Sequence, residues 1–185
     1  MATNKNKPTA EKKTKRVDSR AKGAGFERTL SKFLSEKLNP LKFTRSQMSG
    51  AIVGGVNYEK VGANYKREAL RLFVGDVVPT NEGENGISFN FSVEAKFYKT
   101  VPTMKQLFDD TCLVYGWMEE AIIDAAKLDV HPIVIFKFNN TPIFTATPSH
   151  IAIPDGVNHT KLKNGINVCM LDDLIQHLDF WVTKA

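Results

Sequence analysis

The stretch Ile87-Ser88-Phe89-Asn90-Phe91-Ser92-Val93-Glu94-Ala95-Lys96-Phe97-Tyr98 alternates apolar and polar residues from end to end. A period of two marks a strand whose two faces meet different surroundings. Ile87, Phe89, Phe91, Val93, Ala95 and Phe97 share one face, and Ser88, Asn90, Ser92, Glu94, Lys96 and Tyr98 share the other. Glu94 and Lys96, two apart, therefore project side by side.

Upstream, the polar turn Thr80 to Gly86 separates this strand from Leu72-Phe73-Val74-Gly75-Asp76-Val77-Val78, an apolar run closed by Pro79. The run reads as a buried strand, and Asp76 lies inside it. An unpaired buried carboxylate is costly, so a hydrogen-bonding network or a cation must compensate it. The short turn implies that the two strands are neighbours, which lets Asp76 and Glu94 converge. Two hard oxygen donors beside open water positions suit Mg²⁺ or Mn²⁺ better than zinc. Lys96 would stand next to the ion, to orient or help deprotonate a water and offset charge at a phosphate. Plainer roles stay open: Asp76 as a turn cap, and Glu94 with Lys96 as a surface ion pair. The Glu-x-Lys spacing is common by itself, since Glu11-Lys12-Lys13 repeats it.

The flanks complete the pattern. Phe26, Leu30, Phe33, Leu34 and Leu38 lie on one face of a helix beginning near Lys22, which Asn39-Pro40 ends. Leu41 to Arg45 reads as a short strand, the glycine-containing Ser46 to Gly62 as a loop or flap, and Tyr65 to Leu72 as a short basic helix. Beyond the central strand, Thr103-Met104-Lys105-Gln106 has the capping-box pattern. It opens a long helix to about Leu128, with Leu107, Thr111, Val114, Met118, Ile122 and Ala125 as its buried stripe. Pro132 to Phe138 reads as a central strand, Ile143 to Thr147 as its hairpin partner, and Val168-Cys169-Met170 as one more strand. Leu171, Leu174, Ile175, Leu178 and Trp181 fit a closing helix. The order α-β-β-β-α-β-β-α predicts an α/β fold, a mixed sheet between helices.

Charge is unevenly placed. Residues 1–22 hold six lysines and two arginines against Glu11 and Asp18, and the rest of the 185-residue chain holds 17 basic and 18 acidic side chains. Residues 1–21 read as a basic flexible arm and 22–185 as one domain. Such an arm either solubilises the chain or neutralises phosphates. With 42% hydrophobic residues the chain is not disordered throughout. No apolar run approaches the ~18 residues of a membrane span, and the charged start is no secretory signal. Two cysteines, Cys112 and Cys169, make neither a disulfide scaffold nor a zinc knuckle. The chain therefore reads as cytoplasmic. The four histidines are dispersed, there is no phosphate-binding G-x-x-x-x-G-K-[ST] loop, and Trp117 and Trp181 sit on apolar helical faces as core residues.

Glu27 on the first helix, Val74-Gly75-Asp76 and Val93-Glu94-Ala95-Lys96 together resemble the PD-(D/E)xK nuclease superfamily. Within it, the chain is similar to archaeal-type Holliday junction resolvases and related phage endonucleases. Lys22-Gly23-Ala24-Gly25-Phe26-Glu27-Arg28 resembles their opening helix, and Arg45-Ser46-Gln47-Met48-Ser49-Gly50 resembles the segment after their first strand. The likeness covers about residues 22–148. Gly75 stands where the superfamily's name has proline, and residues 50–72 are longer than in a minimal resolvase.

The resemblance implies a restriction-endonuclease-like mixed sheet flanked by helices, with an α-β-β-β-α-β core. It implies Asp76, Glu94 and the Ala95 carbonyl as ligands of Mg²⁺, with Mn²⁺ able to substitute. Lys96 would position the water and Glu27 would complete the acidic cluster; a salt bridge or a favourable place in the helix dipole remain open for Glu27. DNA would be held by Lys12, Lys13, Lys15, Arg16, Arg20 and Lys22, with Arg28, Arg45, Ser49 and Lys99. The implied activity is endonucleolytic cleavage of branched DNA by a homodimer, in the host cytoplasm if a phage encodes the chain. The alternatives are a restriction- or repair-type nuclease on duplex DNA, a non-catalytic DNA binder of the same fold, and a partner-binding protein whose acids form ion pairs.

Overall fold

The computed structural model describes residues 19–46, 66–84, 86–109 and 111–184. Helix α1, Ser19–Lys37, begins three residues before the expected Lys22 and turns Phe26, Leu30 and Leu34 inward. That face covers one side of a seven-stranded sheet. Its strands are β1 (Phe43–Arg45), β2 (Val77–Pro79), β4 (Phe91–Tyr98), β5 (His131–Phe138), β6 (Ile143–Pro148), β7 (His159–Lys161) and β8 (Ile166–Met170), ordered β1-β2-β4-β5-β6-β8-β7. Only β4 and β5 run parallel; the other neighbours are antiparallel. A parallel pair needs a crossover, and helix α4, Leu113–Ala126, supplies it on the opposite face from α1.

The two helices close two cores. Leu30, Leu34, Val93, Ile133, Ile135 and Trp181 belong to the α1 side, whereas Val114, Trp117, Met118, Ala121, Val134 and Phe136 belong to the α4 side. Strand β5 alternates between them, which is why Ile133 to Phe136 is apolar on both faces. Trp117 and Trp181 are both core residues, as expected.

Four expectations are corrected. The apolar run 72–78 is not one strand: Leu72 is exposed and only Val77–Pro79 is extended in the sheet. The chain turns at Gly75, φ +91°, so Asp76 sits at the entrance of β2 and not inside a strand. The twelve-residue strand breaks at Asn90. Ile87–Phe89 is β3 and pairs with β9, Val182–Lys184. Asn90 holds the switch, its N–H donating to Trp181 O at 2.9 Å, its Nδ2 to Phe180 O at 3.1 Å, while its Oδ1 accepts from Thr183 at 2.7 Å.

The long helix is two. The capping box of Thr103 and Gln106 forms as expected, but it opens only α3, Met104–Phe108. Asp109 then accepts the N–H of Thr111 at 3.0 Å, a side-chain turn that competes with helix. Thr111 and Ile122, placed in the expected stripe, are exposed. The closing helix is likewise two single turns, α5 (Leu171–Leu174) and α6 (Leu178–Trp181). The short basic helix survives as α2, Arg67–Leu70. The flap over 46–62 lies, after Ser46, outside the described residues, as does the arm before Ser19.

Candidate active site

Strand β2 pairs with β4 through Val77 opposite Val93, so the residue before Val77 falls beside the residues after Val93. Gly75 makes this approach close: a Cβ there would lie 2.9 Å from Val93 O and 3.1 Å from Ser92 Oγ. The positive φ and the missing space both exclude proline, whose ring fixes φ near −65°. The backbone of Asp76 is bonded on both sides, its N–H to Val93 O and its C=O to Ser46 N, each at 2.8 Å. Its side chain is aimed at β4 by the N–H of Ala95, 2.9 Å from Oδ2.

Asp76 and Glu94 thus share one half-buried site. Burial raises the Asp76 carboxyl to about 6; the Ala95 N–H and the Lys96 charge counter this, while Glu27 and Asp124 add to it. Burial, then the neighbouring Asp76, raises Glu94 to about 7 against the pull of Lys96. Lys96 Nζ lies 2.6 Å from Glu94 Oε1 and 2.8 Å from Glu120 Oε2. Burial works to lower the ammonium, but attraction to Glu94 and the bonds to Glu120 and Glu94 outweigh it and hold Lys96 above its ordinary value. Lys96 is therefore a fixed positive charge and hydrogen-bond donor.

The site suits a divalent cation on charge. One ammonium does not balance two half-buried carboxylates, and burial makes both resist ionising. Among the described residues no group of three or more His, Cys, Asp or Glu is placed to hold a metal. Mg²⁺ fits such a sparse set, because it keeps several waters and takes one or two carboxylates.

Other expected residues are distributed as follows. Glu27, half-buried on α1, is ion-paired with Arg45 at the end of β1, and its charge acts on Asp76. Arg28 and Arg45 line a groove of about 520 Å³ between α1 and β1, with Lys32, Thr29 and Thr44 and no acidic side chain. Lys22 is engaged elsewhere: Nζ donates to Asn139 Oδ1 at 2.7 Å and sits 3.8 Å from the centre of the Phe97 ring. Arg20 is exposed in the first turn of α1, and Lys99 is exposed just past β4. Lys12, Lys13, Lys15, Arg16 and Ser49 lie outside the described residues.

Sequence reasoning missed Glu120 and Asp124 of α4, read only as a core helix. Trp117, Glu120 and Asp124 recur at i, i+3 and i+7 and so share a helix face, but the spacing alone does not say that this face meets Lys96. A larger cavity of about 570 Å³ lies elsewhere, around Arg71, Glu82, Asn90 and His131. No helix among the described residues is long and apolar enough to cross a membrane.

Comparison with known proteins adds the family. The family described as "Phage putative PDDEXK endonuclease" matches residues 18–182. No curated protein matches the chain. Among solved structures, a Holliday junction resolvase of the archaeal hyperthermophile Archaeoglobus fulgidus is similar at 13% identity over 83% of this chain and 87% of that one, with a TM-score of 0.38.

Proposed function

The chain belongs to the phage PDDEXK endonuclease family, and on that premise we propose that it hydrolyses phosphodiester bonds of branched DNA with Mg²⁺, or Mn²⁺ in its place, held by Asp76 and Glu94. The observation that carries this reading is the convergence of Asp76, aimed at β4 by the Ala95 N–H, and Glu94, 2.6 Å from Lys96; burial raises the two carboxyls to about 6 and about 7, and the charge of Asp76 adds to the rise of Glu94. A purely structural site would hold such groups apart or balance them; carboxylates gathered beside one lysine suit a cation and a phosphate.

Bound there, the ion supplies charge at the scissile phosphate and a water of lowered pKa. The chain's own residues do the positioning. Asp76 is aimed by the Ala95 N–H, and the Ala95 carbonyl is the third protein ligand in this reading. Lys96, fixed as an ammonium, orients the attacking water and meets the negative charge that develops on the phosphate. Glu27, held by Arg45, completes the acidic surroundings from the α1 side. The groove of Arg28, Lys32 and Arg45 takes the adjoining backbone, joined by Lys99, Ser49, Arg20, Lys22 and the arm lysines. Contacts to phosphates position DNA without reading its sequence, which favours selection by shape. Symmetric cutting of a four-way junction needs two such sites, hence a homodimer.

The test compares a labelled four-way junction with a matched linear duplex, in Mg²⁺ and in EDTA. Paired junction nicks that need Mg²⁺ and vanish in Asp76→Asn establish the reading. Equal cutting of the duplex removes the branched substrate and leaves a duplex nuclease. Binding without cutting by the wild type overturns the catalytic assignment.

A further inference from the structure

Helix α4 and strand β4 run antiparallel, and their residues pair off in steps. Trp117 packs against Tyr98 with the rings tilted by 42° and their centres 4.9 Å apart. Glu120 reaches Lys96 at 2.8 Å, and the charge of Asp124 acts on both Glu94 and Asp76. The spacing has a plain cause. One helical turn advances ~5.4 Å and two strand residues ~6.6 Å, so one side chain per turn meets every second strand residue. Buried Ala121 and Ala125 keep the helix close, and the Trp117 contact sets the register of the acids that follow.

From this arrangement we infer that Glu120 is a positioning residue for the proposed cleavage: it holds the Lys96 ammonium from the helix side, independently of Glu94. The inference rests on the nuclease reading above. Lys96 has two carboxylate partners, at 2.6 Å and 2.8 Å. Only one of them, Glu94, belongs to the carboxylate pair assigned to the ion. When Glu94 is drawn toward a cation, Glu120 is the partner that stays. It keeps the Nζ at a fixed place between strand and helix, so that Lys96 neither follows Glu94 nor swings into solvent. Glu120 touches neither the carboxylate pair nor the groove that takes the DNA, and its side chain is 63% exposed. As a surface ion pair alone it would be worth little; its importance lies in where it places Lys96.

The experiment measures single-turnover cleavage at saturating DNA and, separately, DNA affinity for Glu120→Ala, Glu120→Gln, Lys96→Ala and the double variant. Glu120→Ala is expected to slow cleavage about 10- to 100-fold, the scale of a misplaced reacting group, without weakening DNA binding or lowering the unfolding midpoint. Glu120→Gln keeps an oxygen acceptor and is expected to recover part of the loss. In a Lys96→Ala background, removing Glu120 is expected to change nothing further, because its role passes through the missing ammonium. Unaltered turnover in Glu120→Ala, or losses that multiply in the double variant, would overturn the inference. A second readout separates this from failure of the nuclease reading. The Lys96 ε-carbon resonance is expected to shift on Glu120→Ala but not on Glu119→Ala, whether or not the wild type cuts DNA. If it does not shift, the contact and the inference fall together.

Discussion

Beside β3, Arg71 donates through Nε to Glu82 Oε2 at 2.7 Å and through Nη2 to Phe89 O at 2.6 Å, while Glu82 accepts the Phe89 N–H at 2.7 Å. Farther along the same stretch of chain, Asp76 and Glu94 are also withdrawn from water but share one ammonium between them. The first cluster lies against the larger cavity, yet its charges are matched and bonded to the backbone. The second lacks the larger cavity and is left short of positive charge. The contrast teaches that unbalanced charge, and not concave volume, points to the chemistry: a matched pair stabilises a geometry, whereas an unmatched one invites a ligand.

The largest effect should separate the two clusters by activity. Asp76→Asn is expected to lower cleavage by about 1,000-fold, whereas Glu82→Gln should leave it within a few-fold. Single-turnover assays under identical DNA saturation make the comparison. Equal losses would mean that the matched cluster also serves the reaction.

Stability should separate them with opposite signs. Arg71→Ala strands Glu82 and frees Phe89 O, a loss of about 3–5 kcal/mol by the usual cost of breaking a buried pair. Asp76→Asn replaces a carboxylate that burial disfavours with a neutral amide able to keep the bond from the Ala95 N–H. It is expected to raise the urea midpoint. Should both variants destabilise, the Asp76 site is better balanced than its surroundings indicate.

A smaller effect concerns how Asp76 is delivered. Gly75→Ala forces a side chain into φ +91° with Val93 O 2.9 Å away, at an expected cost of about 1–3 kcal/mol. Gly75→Pro should cost more and take activity with it. A Gly75→Ala protein of wild-type stability and rate would show that the turn is free to relax.

Legibility in the sequence followed the same division. Strand β5 was readable because Ile133 to Phe136 is apolar on both faces, Asp76 because a charge inside an apolar run needs a cause, and Glu94 with Lys96 because a period of two sets them side by side. Gly75 carried the turn in one residue, and the apolar letters on either side concealed it. Alternation runs straight through Asn90, so nothing local showed that the strand changes partner there; the reason lies some ninety residues away, at Phe180 and Thr183. Glu120 escaped because an acid one turn from a core tryptophan reads as the solvent side of a helix. Only the register of α4 on β4 turns it toward Lys96.

The smallest effect would sharpen the comparison most, since it tests charge balance without touching the chain. With carboxyls raised to about 6 and about 7 from ordinary values of 3.8 and 4.5, the folded state holds more protons than the unfolded one between about pH 4 and 7. Stability from this pair is therefore fully present below about pH 4 and is lost as pH rises through 6 to 7. A divalent ion opposes that loss by binding the charged form. Mg²⁺ at about tenfold its Kd should add about 1.4 kcal/mol at pH 7.5, or about 3–6 °C in unfolding midpoint. The gain should shrink at pH 5, where binding must first displace protons, and disappear in Asp76→Asn. Glu82→Gln should retain it, because the charge it alters is already matched by Arg71. A Mg²⁺ shift that survives Asp76→Asn would place the ion elsewhere and leave the two clusters without the difference drawn between them.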